Sequence, residues 1–261
     1  MGYHYPRRLL WVVLGMVVSA VGIVMMLQAN IGLEPWSVLQ QGMAQTFGIT
    51  YGTASIIVGA AAIGVAILFG EGFGLGTILN ITLCAIFIDY MLAQGWIPLM
   101  ENLFSGILML LGGLELLAIG TWLYMKAALG AGPRDSLMVA LARKTGRSVG
   151  LCRAVVEIGV IILGWLLGGQ VGIGTVISAI VLGTLFNLNF ALFRFKAAEV
   201  HQENLMESFH NLTGRRRGPT SGQKNSSVLG RGNFFRYFTC CRCRRCSRRT
   251  GDGTEPTACR Q

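Results

Sequence analysis

Charge is scarce in this sequence. Only 13% of its 261 residues are Asp, Glu, Lys or Arg and 52% are apolar, a balance that excludes an ordinary soluble domain of this length. Histidine is scarcer still: the three present, His4, His201 and His210, lie outside the long apolar runs, so no histidine-based active site is expected. No nucleophile–base arrangement stands out. The Gly-rich stretches lack both a preceding strand and a following Lys-Ser/Thr, which excludes a phosphate-binding loop. Of seven cysteines, Cys84 and Cys152 fall in apolar runs and five in the C-terminal tail, unlike a secreted disulfide framework. The first apolar run is too long for a signal peptide, no small-residue cleavage site follows it, and it is expected to be retained. The chain is therefore expected to be no enzyme, to carry no cofactor or metal, and to bind no nucleic acid.

What the sequence does have is apolar length. A helix crossing hydrocarbon needs roughly 20 mostly apolar residues. Six stretches qualify: Leu9–Gln28, Thr53–Phe69, Leu75–Leu92, Leu103–Tyr124, Val149–Leu167 and Val171–Phe193. The expected fold class is an all-α polytopic membrane protein. Arg7 and Arg8 precede the first run, while Lys126, Arg134, Arg143, Lys144, Arg147 and Arg153 gather around the fourth connection, and Arg194 and Lys196 follow the last run. Connections 29–52 and 93–102 hold Glu34 and Glu101 but no Lys or Arg. By the positive-inside rule both termini are then cytoplasmic. The net charge of +10 is mostly a property of the tail: residues 1–196 hold 10 basic and 7 acidic residues, and residues 197–261 hold 12 and 5.

The chain also repeats itself. Gly15/Gly113, Gly22/Gly120, Gly32/Gly130, Pro35/Pro133, Gly48/Gly146, Gly52/Gly150, Gly70/Gly168 and Gly74/Gly172 all stand 98 positions apart, as do Leu39/Leu137 and Thr77/Thr175. One unit covers about 8–98 and the other about 106–196, each reading span, short segment, span, span. Three crossings per unit is an odd number, so the second unit is inverted in the bilayer, a 3+3 arrangement recurrent among transporters.

The short segments, Pro35–Phe47 and Pro133–Thr145, each open on a Pro after a Gly-containing turn, where Pro favours a helix start. At ~1.5 Å per residue neither can cross ~30 Å of hydrocarbon. Each is either a re-entrant half-helix or an interfacial helix, and the cost of burying Arg134 and Asp135 favours the interface. Gly32, Pro35, Gly130 and Pro133 are the expected structural turns. Under the interfacial reading Trp36 is an outer anchor and Arg134 reaches headgroup phosphates.

Candidate binding residues are those whose charge is costly in a membrane. Glu115 and Glu157 lie inside spans four and five and suit proton coupling or cation binding. Against that, Glu157 follows Arg153 by four residues on one helical face, where simple pairing is expected. Arg134 and Asp135 suit an anionic or zwitterionic ligand. Asn80, Asp89, Asn187 and Asn189 are expected to make interhelical hydrogen bonds. The tail, 197–261, has the composition of a disordered cytoplasmic segment. Its Cys240, Cys241, Cys243 and Cys246 among arginines suit lipidation or anionic lipid as well as zinc.

Residues Gly132 to Thr175, GPRDSLMVALARKTGRSVGLCRAVVEIGVIILGWLLGGQVGIGT, resemble the signature half of the bacterial YczE/YyaS/YitT-type membrane proteins, and Glu34-Pro35-Trp36-Ser37-Val38-Leu39 resembles the motif of the other half. The resemblance covers roughly 8–196. It implies a bacterial inner-membrane protein of about six helices and supplies no catalytic residues; Ser37 stands where that family leads one to expect Asp, and the Cys/Arg tail is foreign to it. Two functions remain open: a small-solute transporter or permease, and a membrane scaffold that binds a cytoplasmic protein through residues 125–150. Its partners are accordingly the lipid bilayer and either a small-molecule substrate or that protein.

Overall fold

The computed structural model describes residues 5–69, 74–129, 132–147 and 149–193, except for the side chains of 5, 133, 135, 136, 139, 143 and 149. All regular structure among them is helical. The elements are α1 (Tyr5–Gln28), α2 (Pro35–Phe47), α3 (Tyr51–Leu68), α4 (Leu75–Gln94), α5 (Leu103–Lys126), α6 (Pro133–Thr145), α7 (Val149–Leu166) and α8 (Ile173–Leu192). The bounds of α1 to α4 and those of α5 to α8 differ by 98 residues at every start and every end. Local contacts repeat with them: Gly76 N–H donates to the Leu129 carbonyl and Gly174 N–H to the Ile31 carbonyl, both at 2.8 Å.

Five helices, α1, α3, α4, α5 and α8, are long and apolar enough to cross a membrane. Their exposed positions carry large apolar side chains such as Leu108 on α5 and Ile180 on α8, as surfaces facing lipid must. The remaining long helix, α7, matches α3 in length at 18 residues but carries Arg153 and Glu157. Residues 70–73 and 130–131, including Gly70, Gly72 and the expected turn residue Gly130, and those from 194 onward lie outside the described residues.

The axis of the fold is the pairing of α1 with α5. Four contacts recur at seven-residue intervals in opposite chain directions, so the helices run antiparallel: Arg8 donates to the Ala127 carbonyl, Gly15 abuts Gly120, Gly22 abuts Gly113 and Gly106 abuts Ala29. Seven residues is close to two helical turns, which keeps the small residues on one seam. A Cβ on Gly22 would stand 2.6 Å from the Gly113 carbonyl oxygen, so the seam admits no larger residue there without movement. In lipid, where no hydrophobic force separates helix from solvent, such close backbone packing is a main source of association.

Around this axis the halves interlock. The short helix α2 packs on α7, and α6 packs on α3, so each short helix lies against a long helix of the other half. Gly164 on α7 lies against the Val38–Leu39 backbone, and the Thr46 hydroxyl donates to the Leu167 carbonyl at 2.6 Å. Before α2 the chain turns through Gly32 at φ +112°, where an added Cβ would also meet the Gly172 backbone.

The N-terminal ends of both short helices point inward. Trp36 and Met138 join Val58, Ala62 and Val160 in one buried apolar cluster. Ala62 lies eleven residues into α3, about 16 Å along it, so the α2 N-terminus reaches the middle of the long helices. Its C-terminal residue, Phe47, is 63% exposed. The N-terminal end of α2 is thus packed among other helices and its C-terminal end is not. Trp36 is 5% exposed and anchors nothing at a surface.

Candidate functional site

Glu34 precedes Pro35 as the N-cap of α2, yet its side chain makes no capping hydrogen bond. The carboxylate is 1% exposed and turns to two other groups. Arg134, from the first turn of α6, donates to Glu34 Oε1 at 2.7 Å, and the Ser37 hydroxyl donates to the same oxygen at 3.0 Å. The Arg134 guanidinium also lies over the Trp36 ring, 5.3 Å from its centroid. A buried carboxylate is tolerable only when paired and hydrogen-bonded, and here the partner comes from the opposite half. Two helix N-termini converge on this spot, each equivalent to about half a positive charge. Glu34 offsets that potential, which explains why one acid stands where two helix ends and an arginine meet.

The next shell is polar and uncharged. Tyr51, at the start of α3, donates from its hydroxyl to Gln40 Oε1 at 2.7 Å. It also lies beside Ser37 and within the electrostatic reach of Glu34 and Arg134. The start of α3 is fixed by Asp89 of α4, whose Oδ1 accepts the Gly52 N–H at 2.7 Å. Tyr51 in turn helps line an open cavity of about 640 Å³, together with Gln28, Asn30, Gln41, Gln45 and Gln170. Gln170 ties this mouth together: its N–H donates to Gln41 Oε1 and its Nε2 to Asn30 Oδ1, each at 2.8 Å. Buried side chains thus link Tyr51, at the cavity wall, to Gln40 and to Ser37, which bonds the charged pair.

The other expected site residues lie elsewhere. Glu157 accepts from Arg153 Nε at 2.7 Å, the pairing their spacing implies. Glu115 accepts from Asn189 Nδ2 at 2.9 Å, joining α5 to α8. Asp135 falls in the first turn of α6, its side chain outside the described residues. Arg134 is partly buried against Glu34, where its guanidinium is stabilised by the carboxylate and by the aromatic face of Trp36. Glu34, Gln40 and Tyr51 were not singled out by the sequence. The available signal was an acid beside the Pro that opens a short helix. It was obscured because the 98-residue offset aligns Glu34 with Gly132 and Arg134 with Trp36, so the partners look like unrelated divergences. No group of three or more His, Cys, Asp or Glu side chains suited to a metal occurs among the described residues.

Comparison with known proteins identifies the family. The model described as "Family of unknown function (DUF6198)" matches residues 6–190. The chain belongs to that YczE-like family. It is 33% identical over 195 residues to the "Uncharacterized membrane protein YczE" of Bacillus subtilis (strain 168), covering 70% of this chain and 90% of the relative. A Haemophilus influenzae "Uncharacterized protein" is 38% identical over 157 residues, 60% of this chain and 71% of its own length. "Uncharacterized protein YyaS" of Bacillus subtilis is 23% identical over 189 residues, 67% of this chain and 88% of its own. No solved structure matches. Family membership and the apolar helices together make this a multi-pass membrane protein.

Proposed function

We propose that the protein is a small-solute transporter of the bacterial cytoplasmic membrane, built as two inverted units of three crossings with a re-entrant half-helix in each. The observation that carries this reading is the Glu34–Arg134 pair, drawn from both halves to the inside of the fold, with Tyr51 standing between it and an open cavity. Ionisable residues at such depth are costly and usually mark a solute or ion path. Half-helix N-termini meeting near the midplane at a repeat interface are a recurrent way to build a transport site. The antiparallel α1–α5 seam supports an inverted relation between the units, and α7 then supplies the sixth crossing with its two charges neutralised by one another.

Orientation follows from the ends of the bundle. Arg8 and Lys126 sit together at one end, where Arg8 bonds the Ala127 carbonyl and Lys126 lies over the Trp11 ring. The connections at the other end, 29–50, 95–102 and 167–172, contain no Lys or Arg. The basic end is therefore assigned to the cytoplasm, with both termini, and the cavity to the outer side. A scaffold reading through residues 125–150 loses Arg134, which is engaged inside the fold.

The test is ligand-dependent thermal stabilisation of the purified full chain across a metabolite panel. At least one solute should raise the unfolding temperature in wild-type protein and fail to do so when Glu34 and Arg134 are both replaced by glutamine. A panel that stabilises both proteins equally, or neither, counts against transport.

A further inference from the structure

The end of the bundle assigned to the cytoplasm carries a group of side chains that the transport reading does not use. Lys126, the last residue of α5, is exposed, and its ammonium stands 4.7 Å from the centroid of the Trp11 ring and 5.1 Å from that of Trp122. Phe193, just past the end of α8, stacks on Trp122 with 3.8 Å between centroids. Arg7 is exposed about one helical turn before Trp11. Among the described residues neither Arg7 nor Lys126 has a carboxylate partner, and neither indole N–H donates a hydrogen bond. Arg8 differs, since it donates to the Ala127 and Ala128 carbonyls and so ties α1 to the end of α5.

The fold does not require this group. The 98-residue offset carries α1 onto α5, so a matching helix pair stands at the opposite end. There Lys126 corresponds to Gln28, Trp122 to Val24, Trp11 to Met109 and Arg7 to Ser105. The same packing is thus built without charge or ring at that end, where Gly106 meets the Ala29 carbonyl in the place that Arg8 takes against Ala127.

We infer that this group is a binding site for the phosphate of an anionic phospholipid in the leaflet that meets it. Two cations without a protein counter-charge draw one from outside, and the membrane surface supplies it as lipid phosphate. A zwitterionic headgroup brings its own ammonium and cancels most of that attraction. The two rings hold the Lys126 ammonium in place beforehand, so less freedom is lost when the phosphate arrives. The indole N–H groups are left to donate to phosphate or ester oxygens at headgroup level. Leu10 and Leu14, exposed on α1 beside Trp11, continue from the site into the hydrocarbon and give the acyl chains a surface. The site stands whether or not the protein moves a solute.

The experiment titrates the full chain in detergent with dioleoylphosphatidylglycerol or dioleoylphosphatidylcholine. Native mass spectrometry counts the retained lipids, and thermal unfolding is recorded alongside. Wild-type protein should retain phosphatidylglycerol at least tenfold more strongly than phosphatidylcholine. Lys126→Gln should retain one phosphatidylglycerol fewer, while Lys126→Arg, which keeps the charge and the stacking, should retain as many as wild type. Arg7→Gln changes an exposed side chain outside the ring cluster and should weaken retention at least threefold without lowering the unfolding temperature of the lipid-free protein. Lys144→Gln is the control, removing an equal charge from the same side of the membrane, where the ammonium lies 4.4 Å from the Phe69 ring; it should change nothing, and the basic tail is the same in every protein. Equal losses in K126Q and K144Q would show that net charge alone attracts the lipid and would overturn the site. Equal retention of the two lipids by wild type would do the same. Stabilisation of wild type by sn-glycerol 3-phosphate to the extent given by phosphatidylglycerol would replace the lipid with a soluble phosphoester.

Discussion

Replacing Glu34 and Arg134 by glutamine, singly and together, measures the strength of the contact on which the fold's centre depends. The two groups are 2.7 Å apart. At that separation unit charges attract by about 6 kcal/mol at an effective dielectric of ~20, before desolvation is subtracted. Removing one member of a buried pair typically costs about 3–5 kcal/mol, because the survivor remains without its counter-charge. The two single variants should not be equal. Glu34 keeps 2% of its side chain exposed and Arg134 keeps 30%, so water can hydrate a widowed arginine better than a widowed glutamate. Arg134→Gln should therefore cost about 4 kcal/mol and Glu34→Gln about 3, with the double variant at only about 1–2 because two amides can hydrogen-bond in place of the pair. The coupling, about 5–6 kcal/mol on these figures, exceeds the additivity expected for separate sites by a wide margin. Denaturing-detergent titration in mixed micelles, followed by far-ultraviolet ellipticity, reads all four proteins. Additive single costs below about 0.5 kcal/mol would show that the pair is exposed or absent.

Further consequences follow from other contacts. Gly22→Ala should destabilise by about 1–3 kcal/mol through forced separation of α1 and α5, whereas Gly64→Ala, at a helical site with nothing within 4 Å of an added Cβ, should be neutral or stabilising by up to about 1 kcal/mol; unfolding titrations of both compare the signs directly. Asp89→Ala should cost about 1–2 kcal/mol by uncapping Gly52, and Asp89→Asn should recover much of it because it keeps an acceptor oxygen. Hydrogen exchange should show the loss at the first turn of α3. Arg153→Gln with Glu157→Gln should change stability by less than about 1 kcal/mol, since the pair is local to one helix and partly exposed; the same titration checks it.

Much of the fold was legible because membranes restrict structure so tightly. The six apolar runs predicted from sequence begin and end within four residues of the long helices. The glycines at a fixed offset marked the two units, since at Gly15, Gly22 and Gly113 close backbone contact admits a larger residue only if the helices move. The bounds of α2 and α6 were equally readable from Pro35, Pro133, Gly48 and Gly146. Their direction was not. Burial cost argued that a segment carrying Arg134 stays at the interface, and that cost is largest for an unpaired charge and is offset by a carboxylate partner. Glu34, in a connection with no nearby basic residue in sequence, is what offsets it, a hundred residues away. The site's neutral members were hidden for a similar reason. Gln40 and Tyr51 stand eleven residues apart on separate helices, and nothing in their local sequence announces the hydrogen bond between them. Glu157 was legible because its partner is one helical turn away.

The most direct measurement is uptake of an isotopically labelled metabolite extract into vesicles containing the purified full chain, read by mass spectrometry of the vesicle contents. Wild-type protein should concentrate at least one solute inside faster than protein-free vesicles do. The E34Q/R134Q protein, incorporated to the same extent and still folded, should lose that uptake by at least tenfold. Equal uptake by both proteins, or none by wild type, would contradict the assignment of this buried pair as a transport centre.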